Sequence, residues 1–258
     1  MSSEKIMVTR NGAAAVITIN RPEVHNAMDS ECWVMLRRIV QELDADSSVR
    51  VIIITGAGEK SFIAGADINA LRKRSAIETL RGENGKTALA VEQCTKPTIA
   101  AINGLALGGG CEIALACDLR IAAGNAKIGL TELNVGILPG AGGTQRLTQI
   151  VGLGRAMHMI LTGEPMKAGE ALACGLVTTV VPPEDLIKEA LTTAEKLMKK
   201  SPITIQLAKT AVREGAKTNL STALLLETLC QSVIFGTEDH IEGLTAFLEK
   251  RTPVYKGE

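Results

Sequence analysis

Two short glycine-rich segments and two glutamates carry the chemistry this sequence could perform. The first segment reads AGAD at 64–67 and leads into a short helix. The second reads LGGGCE at 107–112, where a strand ends and a helix begins. N–H groups at a helix start point outward and carry partial positive charge. Glycines let a ligand come close to the backbone. Two such amides aimed at one oxygen form an oxyanion hole. Glu112 falls in the first turn of the second helix, and Glu132 follows 20 residues later, ahead of the turn LPGAGGT at 138–144. Two carboxyls beside an oxyanion hole can hold a water and move its protons. Plainer roles are open to each residue. Glu112 suits a helix N-terminus electrostatically, Glu132 could be an exposed turn residue, and Asp67 reads as a helix N-cap. The glycine triplet could serve only close packing. Spacing alone does not bring the two carboxyls together.

Other chemistries find little support. Gly85-Lys86-Thr87 looks like the end of a phosphate-binding loop, but Leu80 stands where that motif needs glycine. The run Gly140-Ala-Gly142-Gly143 follows Pro139, not a strand, and is no dinucleotide fingerprint. There is no GxSxG for a serine nucleophile. His25, His158 and His240 are scattered without ligand spacing, so no metal site is expected. Six cysteines without a CxxC read as reduced, mostly buried thiols. Lys and Arg total 28 against 28 Asp and Glu, so the basic excess of a nucleic-acid binder is missing. The opening MSSEKIMVTRNG has no apolar run suited to a signal peptide. The apolar stretch 98–117 contains a glycine triplet and Glu112, which argues for buried strand and helix over a membrane span. A cytoplasmic location is expected.

The elements that must position these residues follow from periodicity. Strands are predicted at 6–10 and 14–19, joined at Asn11-Gly12, then at 51–55, 98–102, 118–122, 127–129 and 178–181. VIIIT at 51–55 is wholly apolar, as in a strand buried on both faces. Helices are predicted at 30–45 after an Asp29 or Ser30 cap, at 67–71, across 76–94, and after the glycine triplet. Beyond Pro139 the pattern is helical: 142–151, 153–162, 167–173, 184–199, 203–215, 220–234 and 238–250. Strands alternating with helices, followed by a helical last third, imply an α/β class.

The segments NRPEVHNAM, SFIAGADI, AAINGLALGGGCEIALACDLRIAA, TELNVGILPGAGGTQRL and TAFLEKR, in this order across nearly the whole chain, closely resemble the enoyl-CoA hydratase (crotonase) family. The resemblance implies a crotonase-like spiral of ββα units over 1–198 with a helical C-terminal trimerisation region at 199–258. It implies a homotrimer, or a homohexamer built as a dimer of trimers. It assigns oxyanion-hole amides to Ala66 and Gly109, catalytic carboxylates to Glu112 and Glu132, and a place beside the water to Gly140. Coenzyme A would run along Ala64, Ala66, Asp67 and Ile68, and Lys250 would reach a neighbouring subunit's coenzyme A. Asn69 and Glu23 stand where relatives often have lysine, so Lys60, Arg72 or Lys73 is expected to serve the nucleotide. The implied reaction adds water to a trans-2-enoyl-CoA, with no cofactor and with coenzyme A entering only as part of the substrate. Isomerase relatives often keep only the second glutamate, so the pair favours hydration. Other acyl-CoA reactions and an RNA-associated role are the alternatives. No nucleic-acid or membrane partner is expected.

Overall fold

A computed structural model of the chain describes residues 4–258; the first three residues of the opening segment lie outside the described residues. Strands β1 (Ile6–Asn11) and β2 (Ala14–Ile19) pair as an antiparallel hairpin. Asn11 pairs with Ala14, so the turn consists of Gly12 and Ala13, one place later than predicted. Gly12 supplies the corner at φ +57°, a conformation that a side chain would resist. A 3-10 turn at Pro22–Val24 leads to α1 (Ser30–Ala45). The Asp29 carboxylate caps α1 by accepting the Cys32 N–H at 2.9 Å, and Trp33, Leu36, Ile39, Val40 and Leu43 form its buried stripe.

Three units then repeat one pattern. In the first, β3 (Val51–Gly56) and β4 (Ser61–Ile63) precede α2 (Ile68–Lys73), α3 (Ala76–Leu80) and α4 (Glu83–Gln93). In the second, β5 (Thr98–Ile102) and β6 (Leu105–Leu107) precede α5 (Gly109–Ala116). In the third, β7 (Leu119–Ala123) and β8 (Lys127–Gly129) precede a 3-10 turn, Glu132–Val135, and α6 (Gly143–Val151). Next come α7 (Leu153–Thr162), β9 (Met166–Lys167), α8 (Ala168–Ala173), β10 (Thr179–Val181) and α9 (Leu186–Met198). The chain closes with α10 (Pro202–Gly215), α11 (Leu220–Phe235) and α12 (Glu238–Leu248). The first strand of every unit joins a six-stranded sheet ordered β1-β2-β3-β5-β7-β10, and the second joins a four-stranded sheet ordered β4-β6-β8-β9. This double progression is the spiral of ββα units.

The central strands of the large sheet are buried on both sides. Val51 and Ile53 pack with Leu186, Ala190 and Ala194 of α9, while Ile52 and Ile54 share the other core with Trp33 and Leu36. That two-sided burial is why 51–55 reads as continuously apolar. Sequence patterning misses β4 and β6, three-residue strands that run directly into the glycine-rich segments. The helix expected across 76–94 is two helices, interrupted at Gly82, and a capping box of Ser75 and Glu78 starts the first. The strand expected from Asp118 begins at Leu119. The Asp118 carboxylate instead accepts from the Thr98 N–H at 2.8 Å and pairs with Lys209 at 2.6 Å and Arg213 at 2.9 Å. These ion pairs tie α10 to the core. Beyond α10, Leu224, Leu225, Leu229, Val233, Phe247 and Leu248 are each more than half exposed. Among the described residues no single helix is long and apolar enough to cross a membrane; α11 and α12 reach that composition only jointly, and they meet at 76°.

Candidate active site

The small sheet delivers three segments to one place. β4, β6 and β8 are neighbouring parallel strands, so the chain leaves their carboxyl ends on the same side. From β4 it enters 64–67, from β6 the glycine triplet and α5, and from β8 the turn holding Glu132. Crevices at strand carboxyl ends are where α/β sheets commonly bind ligands.

The two amide segments present free donors. Around Ala66, Met28 N–H donates to Gly65 O at 2.9 Å and Asp67 N–H donates to Met28 O at 3.0 Å, so this bridge turns the Ala66 N–H away from Met28. In α5 the first N–H with an acceptor in the turn is that of Glu112, which donates to Gly108 O at 3.0 Å. Among the described residues, neither the Ala66 nor the Gly109 N–H has a backbone acceptor. The positive φ in the triplet falls at Gly108, with φ +51° and ψ −122°. Gly109 is instead a close-approach position: a Cβ there would lie 2.8 Å from Trp33 Cζ2.

Both glutamates are buried, which overturns the exposed-turn reading of Glu132. Glu112 is 2% exposed and Glu132 is 9% exposed. Their surroundings differ. Glu112 Oε1 accepts the Ala141 N–H at 2.6 Å and the Gly143 N–H at 2.8 Å. Glu132 Oε2 has no partner among the described residues. Gly108 closes the gap between them: its N–H donates to Gly129 O at 2.9 Å, and a Cβ on it would lie 3.2 Å from Glu132 Oε1. Burial pushes the Glu132 carboxyl up to about 7, and the nearby charge of Glu112 adds to the effect. Burial raises Glu112 as well, opposed by the Gly143 and Ala141 N–H groups. The two N–H groups favour the charged form of Glu112, while burial and the Glu112 charge disfavour the charged form of Glu132.

Gly140 is exposed and lies in the turn that cradles Glu112, but the N–H groups that reach the carboxylate belong to Ala141 and Gly143. Sequence reasoning did not name these two. It also passed over Arg146, which fastens the turn through Ala141 O at 2.7 Å and pairs with Glu92 on α4. Ala64 is half-buried and its N–H donates to His25 O at 3.1 Å. Asp67 caps α2 through the Asn69 and Ala70 N–H groups, as its plainer reading held. Ile68 is 60% exposed. Lys250 is exposed just beyond the end of α12, a helix that packs on α11. Lys60, Arg72 and Lys73 are exposed.

A family model described as enoyl-CoA hydratase/isomerase matches residues 9–258. The chain belongs to that family. Within this hydratase/isomerase family, it is 44% identical to the short-chain-enoyl-CoA hydratase of Clostridium acetobutylicum, over 97% of each chain. It is 43% identical to the crotonyl-CoA hydratase of Syntrophomonas wolfei, again over 97% of each. A crystal structure of an enoyl-CoA hydratase from Bacillus anthracis superposes with a TM-score of 0.94 at 43% identity, covering 99% of this chain and all of that one.

Proposed function

We propose that this chain is an enoyl-CoA hydratase that adds water reversibly across the C2=C3 bond of a short trans-2-enoyl-CoA to give a 3-hydroxyacyl-CoA. The carrying observation is the asymmetry of the buried glutamates beside two free amides. Glu112 receives two backbone N–H groups from a distant turn, whereas Glu132 Oε2 has no partner among the described residues. In this reading the thioester oxygen accepts from the Ala66 and Gly109 N–H groups, which draws electron density from C3. Glu112, the ionised carboxylate, takes a proton from a water as the oxygen of that water bonds to C3. The π electrons move onto the thioester as an enolate, which the amides stabilise. Protonated Glu132 gives its proton to C2 as the carbonyl reforms. Water has then been added, and a proton transfer from Glu112 to Glu132 restores the starting state. Losing one amide of such a hole typically costs roughly 3–4 kcal/mol, or 10²–10³ in rate.

Retention of both carboxyls supports hydration over isomerisation, since a double-bond shift needs no second group to activate water. The names of the two relatives support a short acyl chain. No cofactor is required, because the thioester itself activates C3. The coenzyme A moiety runs along Ala64, Asp67 and Ile68 in this proposal, with exposed Lys60, Arg72 and Lys73 available to its phosphates. The exposed apolar faces of α11 and α12 support assembly into a trimer or a dimer of trimers, in which Lys250 meets a neighbour's coenzyme A. The testing experiment follows loss of the conjugated enoyl thioester absorbance over a series of enoyl-CoAs. Turnover highest on crotonyl-CoA is expected, and double-bond migration without 3-hydroxyacyl-CoA would refute the reading.

A further inference from the structure

We propose that Trp33 is a positioning residue for the oxyanion hole, holding the Gly109 amide from beneath; this rests on the hydratase reading above. The benzene edge of the indole lies directly behind Gly109. A Cβ on Gly109 would stand 2.8 Å from Trp33 Cζ2 and 3.0 Å from Cη2, so only a glycine α-carbon can rest there. Trp33 is fully buried and cannot contact substrate from this position. Its own place is fixed twice. Asp29 caps the helix on which it stands, and the Thr87 hydroxyl donates to Trp33 O at 2.9 Å, linking α1 to α4. The residues just ahead of the helix hold the other donor, because Met28 bridges the chain on both sides of Ala66. One short stretch, 28–33, therefore touches the supports of both amides. It sets where the two N–H groups stand relative to each other.

The indole nitrogen supplies a second observation. Trp33 Nε1 is buried without an acceptor among the described residues. An unpaired buried donor destabilises a fold, and phenylalanine or methionine would fill space there without one. The single ring of phenylalanine stops short of the Cζ2 and Cη2 positions that meet Gly109. The indole's size is thus used for placement, at the expense of a donor left unpaired.

The test uses the full-length protein as Trp33→Phe, Trp33→Met, Gly109→Ala and Trp33→Met/Gly109→Ala, each checked for folding by thermal melting. Hydration of crotonyl-CoA gives kcat. Binding of butyryl-CoA reports the ground state, and binding of acetoacetyl-CoA, followed by the absorbance of its enolate, reports stabilisation of the oxyanion. Both single Trp33 variants are expected to melt near the wild type. They should lose about 10-fold or more in kcat and in enolate formation, with butyryl-CoA affinity changed less than about threefold, because an enolate gains more from the amides than a neutral carbonyl does. Gly109→Ala is expected to lose at least as much, and the double variant to recover activity relative to Gly109→Ala because the flexible methionine yields to the new Cβ. Retention of wild-type kcat in either folded Trp33 variant overturns the proposal, as does equal loss in turnover and butyryl-CoA binding. Multiplicative losses in the double variant also overturn it. A wild-type protein that does not hydrate crotonyl-CoA defeats the underlying reading instead, so the two failures are distinct.

Discussion

Gly143→Ala should disable the proposed base, Glu112, while leaving the glutamate itself in the sequence. Gly143 sits against Glu112, and a new Cβ would lie 2.9 Å from Glu112 Cγ, 3.0 Å from Oε1 and 2.8 Å from Leu130 Cδ2. Real Cβ atoms do not tolerate such contacts, so the Leu130 methyl and the Glu112 side chain must both shift. The shift of Glu112 weakens the bonds from the Ala141 N–H at 2.6 Å and the Gly143 N–H at 2.8 Å. A hydrogen bond to a charged group is worth about 1.5–3 kcal/mol. Losing the equivalent of one bond therefore costs about 10- to 10²-fold in kcat/KM. The same two donors oppose the upward push of burial on Glu112, so weakening them raises its pKa further. With Glu112 as the proposed base, the acid limb of the pH–rate profile is expected to move to higher pH. Stopped-flow hydration of crotonyl-CoA from pH 5 to 9 measures both effects. Wild-type kcat/KM, or a reduced rate with an unmoved acid limb, would refute the idea that these N–H groups hold the base.

Two further outcomes follow from the same structure. Glu132 has an ordinary value of 4.5 and stands at about 7 when folded. A raised carboxyl pKa means that stability is full below pH 4.5 and falls as pH rises through about 7. The difference corresponds to about 3 kcal/mol, reduced to about 1–3 kcal/mol by water reaching the cleft. Glu132→Gln should therefore be more stable than the wild type in urea at pH 8 and equal to it near pH 4.5; equal stability at pH 8 would show the carboxyl is not strained there. The apolar faces of α11 and α12 should direct assembly, so light scattering is expected to give a trimer or hexamer, and Phe247→Glu combined with Leu224→Glu should lower the mass toward monomer. A monomeric wild type across a wide concentration range would contradict this.

Much of the fold was legible because its strands are extreme cases. The runs at 51–55 and 98–102, apolar apart from one threonine each, are buried on both faces, and the amphipathic helix at 30–45 has one unbroken stripe. The short strands β4 and β6 were not legible, although they align the two amide segments. Glu112 and Glu132 were legible as candidates by type and by family resemblance. Their division of labour was not, because it depends on which backbone N–H groups a distant turn brings to each. The GAGG run at 140–143 was visible, but only the fold shows that Ala141 and Gly143, not Gly140, face Glu112. Trp33 falls at helical spacing with the other buried residues of α1, and no pattern in the sequence places its ring behind Gly109.

The central claim is that two buried glutamates share one hydration, Glu112 as base toward water and Glu132 as proton donor to C2. Its most direct measurement is the hydration rate of crotonyl-CoA by Glu112→Gln and Glu132→Gln beside the wild type, with circular dichroism to establish folding. Each nearly isosteric change is expected to lower kcat by at least about 10²-fold, the usual worth of a positioned acid or base. A folded variant of either kind that keeps most of the wild-type rate would contradict the account.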